Sequence, residues 1–248
     1  MPKRFLIPAN LRGSDILDTT SLFWEASGKV VTFDFSELAF AFPFPTLVLA
    51  AEIQSVIQAN PKRRYEFVGI DPNKPAHSYL AHVGFFRHIG HDQTLASREA
   101  RGGSYVPITE LTRRQLSQRL RDADQPLGFA VQKEAEDLAR VLTQSNDLKA
   151  NRPIAYCIRE VIRNVFEHAG VDSCTLAGQK YQNDVELGIV DRGRGIRTSL
   201  RERFDVKSDE EALLMAIRPG VSRVAPSLDD NEWANSGFGL FEIGRAHV

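Results

Sequence analysis

Residues 152–169 constrain the fold more than any other stretch of the 248-residue chain. Ile154, Cys157, Ile158, Val161, Ile162, Val165 and Phe166 recur at the spacing of one helix face, and such a stripe must be buried against a core. Asn151 and Pro153 supply a cap and a first-turn residue, and Gly170 suits a stop. Glu160, Asn164 and His168 stand four residues apart, in one row along the edge of the stripe. Taken alone, the row reads as the solvated flank of an amphipathic helix.

Two glycine-bearing turns downstream give the row another reading. The predicted strand 184–190 runs into Asp191-Arg192-Gly193-Arg194-Gly195, a turn with accessible backbone amides and an acceptor carboxylate at the strand end. Further on, "NSGFGLF" places Gly237 and Gly239 before an apolar segment, as a loop opening onto a helix N-terminus would. Unpaired N–H groups and the helix dipole both favour anions at such a junction.

The order E-x-x-x-N, D-x-G-x-G, G-x-G-L across residues 130–241 resembles the GHKL ATP-binding fold of gyrase, Hsp90-type chaperones, sensor histidine kinases and MutL. The resemblance implies ATP and Mg²⁺ as ligands. Glu160 would orient or deprotonate the attacking water or hydroxyl, and Asn164 would ligate Mg²⁺. Asp191 would accept the adenine amino group, Gly193 and Gly195 would admit the base, and Gly237 and Gly239 would line the phosphates. His168 either touches a phosphate or packs at the helix end. Residues 198–236 would form the nucleotide lid, with Arg218 and Arg223 exposed or reaching phosphate. "NVFEHAG" is similar to the anti-sigma-factor serine kinases, and no upstream helix with a phosphoacceptor histidine is apparent, unlike a standard sensor kinase. Hydrolysis, phosphorylation of a partner's hydroxyl, and a nonenzymatic nucleotide-dependent switch all remain open.

The first half alternates predicted strands (29–38, 63–71) with predicted helices (43–60, 75–90), and 97–111 holds a Gly-containing connection and then a short strand. This order and "FDFSELAFAFPFPTLVLAAEI" resemble a STAS domain, which implies a protein partner bound through that domain or through the lid. The phosphorylatable hydroxyl of that family is replaced by Phe42-Pro43-Phe44-Pro45, and the next hydroxyl is Thr46, which favours an interaction or packing module. His82, His88 and His91 lack zinc-ligand spacing and read as helix-face and loop residues. Arg113, Arg114, Arg119 and Arg121 read as a solvated helix face.

The polar, Pro- and Gly-containing stretch 121–128 is the natural linker. It divides the chain into a STAS-like domain, 1–124, and a GHKL-type domain, 125–248. Helices over 131–145 and 152–169 and strands near 171–178 and 184–190 come after it. The expected fold class is α/β, built as two-layer α/β sandwiches. Residues 242–248 can be encoded by a sequence resembling a short-read sequencing adapter, so the natural chain is expected to continue after Phe241.

Composition removes other classes. With 31 basic and 32 acidic side chains the net charge is −1, which argues against a nucleic-acid partner. No apolar run approaches the ~20 residues of a membrane span, and the expected location is the cytoplasm. Cys157 and Cys174 lack metal-ligand spacing and are expected to be reduced core residues.

Overall fold

The computed structural model describes residues 3–13, 15–91, 103–120, 125–182, 184–221 and 240. The protein is mixed α/β and divides into two compact units. One comprises residues 1–109 with 175–190, the other 110–174 with 191–248. The division falls within three strands, and residues 121–124 of the predicted linker lie outside the described residues.

The first unit runs through β1 (Lys3–Leu6), β2 (Asn10–Leu11), α1 (Asp15–Ser21), a 3-10 turn (Leu22–Glu25), β3 (Val30–Asp34), β4 (Phe40–Ala41), α2 (Pro43–Ala59), β5 (Arg64–Val68), α3 (Pro75–His82) and α4 (Phe85–His88). β3 is central to a parallel sheet of order β1-β3-β5, with Phe5 paired to Phe33 and Phe33 to Phe67. A parallel sheet needs cover, and its core is aromatic: Phe5, Phe23, Phe33, Phe35 and Phe85 are all buried. Phe33 lies 5.0 Å from Phe23 and 5.6 Å from Phe67 between ring centroids.

α2 buries ten of its seventeen residues, most of them in its first half. Its N-terminus carries Pro43 and Pro45, which have no N–H to satisfy, and the Phe44 N–H donates to Glu186 Oε1 at 2.9 Å. Thr46 is buried in the first turn, and its hydroxyl has no partner among the described residues. That hydroxyl is therefore out of a kinase's reach. The helix predicted over 75–90 is two helices instead, because Gly84 adopts the left-handed conformation (φ 81°) between α3 and α4. His77, on α3, is fully buried and fully used. Its Nδ1 accepts the Asp71 N–H at 2.8 Å, so Nε2 must carry the proton that bonds Phe35 O at 3.0 Å. The His82 ring lies against Tyr105 and the His91 ring against Phe67, at 4.3 and 4.8 Å between centroids.

The chain continues through β6 (Tyr105–Thr112), α5 (Arg113–Gln118), α6 (Leu127–Thr143), α7 (Leu148–Asn164), a π turn (Val165–Ala169), β7 (Ser173–Lys180), β8 (Val185–Asp191), α8 (Gly195–Leu200) and α9 (Asp209–Ala216). β6, β7 and β8 are neighbours in that order, and the β7–β8 hairpin makes that pair antiparallel.

In the second unit α6 and α7 pair as a helical hairpin, α6 burying Val131, Ala135, Leu138 and Leu142, and α7 burying Ala155, Ile158 and Ile162. α7 starts earlier than predicted. Asp147, not Asn151, is its cap, accepting the Lys149 N–H at 2.9 Å. Pro153 then lies inside the helix, at the cost of one intrahelical bond. Asn151 is buried instead, taking the Thr143 hydroxyl at 2.7 Å and giving its amide to Ser145 O at 2.7 Å.

Among the described residues, the arginines expected on a solvated face keep substantial exposure, and two of them also make specific bonds. Arg113 bonds Asp172 at 3.0 Å and Phe166 O, and Arg119 pairs with the buried Glu134, whereas Arg114 is exposed and Arg121 lies outside the described residues. The buried Glu134 carboxylate recruits Arg119, while Arg113 is shared between the exposed Asp172 carboxylate and the Phe166 carbonyl. Cys174 is buried and its thiol is pushed up to about 12, by burial first and then by Asp191 and Glu110, while Cys157 is only half-buried. No described helix is long and apolar enough to cross a membrane.

Candidate functional site

The polar row on α7 is closer to the core than the sequence suggests. Glu160 is only 8% exposed, because the buried face centres on Ala155, Ile158 and Ile162, a rotation away from Ile154, Cys157 and Val161. Asn164, half-buried, ends the α-helix, and its side chain makes no hydrogen bond among the described residues. His168 does not continue the row. The last turn, Val165–Ala169, is π-helical, so the i, i+4 alignment of Glu160 and Asn164 is broken before residue 168.

Glu160 is also less free than a lone row implies. Its Oε1 accepts Arg159 Nε at 2.9 Å and Nη2 at 2.7 Å, and Arg163 Nη1 stands 3.5 Å away. Arg163, itself 7% exposed, forks onto both oxygens of Glu167 at 2.9 and 3.2 Å. Sequence reasoning missed this chain of four charges, although the i, i+4 spacing of Arg163 and Glu167 is a readable signal for its last link.

The turn after β8 is the other half of the site. Asp191 is exposed and accepts the Gly193 N–H at Oδ1, 2.8 Å away, which folds the turn back on itself. The turn then lies directly on the end of the π turn. Arg194 N donates to Ala169 O at 2.9 Å, and Arg194 Nε to His168 O at 3.0 Å. A Cβ on residue 193 would collide with the Cβ and O of Ala169 and stand 2.8 Å from its carbonyl carbon. The side-chain space missing at Gly193 is thus filled by the protein and cannot admit a base. Gly195 differs: it has φ +76° and open space where a Cβ would lie.

The Asp191–Gly195 turn and the segment that follows Asn164 therefore meet at Ala169 within the second unit. Gly237, Gly239 and Arg223 lie outside the described residues, and Arg218 is exposed just beyond α9. α9 buries Ala212 and Ala216 and exposes Leu213 and Leu214, and Ile217 just beyond it is exposed too.

The donors on hand suit a magnesium nucleotide. An amide oxygen at Asn164 is a hard ligand, Asp191 Oδ2 has no hydrogen bond among the described residues, and the space over Gly195 is open. No group of three or more His, Cys, Asp or Glu that could hold a metal occurs among the described residues, so magnesium would take its remaining ligands from phosphate and water. Comparison with protein-family models, curated proteins and solved structures found no match to the chain.

Proposed function

We propose that the second unit binds Mg-ATP as a GHKL-type nucleotide domain and that the first unit is a STAS-like module for a protein partner, the whole acting in regulation or signalling. The observation carrying this reading is the seating of the Asp191–Gly195 turn on Ala169, at the end of the helix that holds Glu160 and Asn164. Three motif residues from segments 27 positions apart thereby belong to one local structure, which suits a shared ligand better than it suits a solvated flank. Asn164 would hold Mg²⁺, Asp191 the adenine amino group, and Gly195 the open approach to the base. Bound magnesium would supply charge neutralisation at the phosphates.

Two activities fit this site: phosphoryl transfer with Glu160 as base, and passive switching. The second draws on Glu160 being ion-paired with Arg159. Calorimetric titration of the full chain with ATP, with and without magnesium, tests the common premise. Asp191→Ala should weaken ATP binding about tenfold or more under both conditions, the worth of a hydrogen bond to a charged group. Asn164→Ala should weaken it only when magnesium is present. Wild-type affinity in Asp191→Ala would remove the nucleotide reading.

A further inference from the structure

If the second unit binds Mg-ATP, Glu160 is the group that would accept the proton of an attacking water or hydroxyl, and its surroundings bear on whether it can. Residues i and i+1 of a helix do not face each other, so Arg159 has to fold back to reach Glu160. It does so with both Nε and Nη2, onto the same oxygen, Oε1. Its guanidinium is held from two further sides. Nη1 donates to Gln132 Oε1 on α6 at 3.2 Å, and the group lies over the Tyr156 ring at 4.7 Å. This is a seated arginine, its side chain 20% exposed, rather than a mobile surface cation. Arg163 leans on the same oxygen at 3.5 Å but is chiefly committed to Glu167.

We propose that Arg159 is a positioning residue that restrains Glu160, so that nucleotide binding and nucleotide turnover are separately controlled in this site; the proposal rests on the Mg-ATP reading. With Arg159 seated, the lone pairs of Oε1 are taken by arginine N–H groups and the carboxylate is drawn along the helix toward residue 159. The site then binds ATP and holds it. Turnover requires Arg159 to let go. The oxygen of water then bonds to the γ-phosphorus, the bond from that phosphorus to the β,γ-bridging oxygen breaks with its electron pair leaving on ADP, and the water proton passes to the Glu160 carboxylate. A partner's hydroxyl in place of water gives the phosphorylated partner by the same balance. Gln132 and Tyr156 are the handles by which a movement of α6 against α7 would unseat the arginine.

The test is Arg159→Gln in the full chain. Its Kd for Mg-ATP should stay within about twofold of wild type. Phosphate release or transfer should rise at least about tenfold in kcat with KM unchanged, inside the ~10² to 10⁴-fold that a general base supplies. Adding Glu160→Gln should abolish the gain, and Arg159→Lys, which keeps the charge but loses the fork, should fall between. A nucleotide-free readout accompanies this. The thermal-midpoint shifts of Arg159→Gln and Glu160→Gln should be less than additive when combined. Additive shifts, or an Arg159→Gln enzyme that binds ATP normally with unchanged or reduced turnover, would overturn the restraint and leave ATP binding standing. Failure of the wild type to bind ATP would instead bring down the nucleotide reading and this proposal with it.

Discussion

His77 in the first unit and Asn164 in the second are polar side chains set on helices beside apolar cores, and they have opposite fates. Both ring nitrogens of His77 are consumed inside the protein, one by the Asp71 N–H and one by Phe35 O. Neither the oxygen nor the nitrogen of the Asn164 amide is used among the described residues. A buried polar group without a partner is costly, so a fold either supplies partners, as around His77, or leaves the group where a ligand or water can reach it. The first arrangement locks a loop; the second leaves bonding capacity over. Glu160 lies between them, its Oε1 held by Arg159.

The largest effect should come from the close backbone approaches, one in each unit. Gly193→Ala pushes a methyl group into Ala169, and Gly69→Ala pushes one into Ser36 and Asp34, 2.7 Å from Asp34 Oδ1, at a φ of +72°. Each should lower unfolding stability by about 3 kcal/mol in denaturant titration, and only Gly193→Ala should also disturb ATP affinity. If both variants bound ATP alike, the turn at 191–195 would not belong to the site.

A smaller effect separates the two polar side chains directly. His77→Phe keeps the volume but strands the Asp71 N–H and the Phe35 carbonyl, and should cost about 2 kcal/mol with ATP binding unchanged. Asn164→Ala should change stability by less than ~0.5 kcal/mol, because it removes no internal bond. Equal losses of stability in the two variants would erase the contrast.

The smallest effect concerns Asp34, at the end of β3. Burial alone would raise its pKa, but the Ser36 N–H at 3.0 Å and the Arg4 guanidinium at 2.8 Å outweigh burial and hold it below the usual carboxylate value. A depressed folded-state pKa gives stability that is present above the ordinary value of about 4 and is lost as the pH falls through the lower one. Asp34→Asn should therefore flatten the fall in Tm below about pH 4, measured by calorimetry across acid buffers. An unchanged acid slope would place the acid sensitivity elsewhere.

Periodicity made α2, α6, α7 and most of β3, β5, β7 and β8 legible, because each carries its own repeat of apolar side chains. What it missed lay in partners distant along the chain. β1 has only four residues and owes its existence to pairing with β3. The α7 cap was misplaced because Ser145, Asn146, Asp147 and Asn151 are all competent caps, and the choice depends on which of them the Thr143 hydroxyl and Ser145 carbonyl can bury. The motif residues of the candidate site could be read from their types. The burial of Glu160, the arginine on its oxygen and the π turn under His168 could not, since helical spacing assumes a regular helix and says nothing of how far it rotates toward the core.

The two glycines of the Asp191–Gly195 turn should also differ in what could replace them. Two of the three atoms that crowd a side chain at 193 are backbone atoms of Ala169, so trimming residue 169 to glycine would not make room, and glycine at 193 has no substitute. Position 195 asks only for a left-handed backbone in open space, which asparagine tolerates. Among chains descended from this one, G-x-G and G-x-N should both be found, and N-x-G should not.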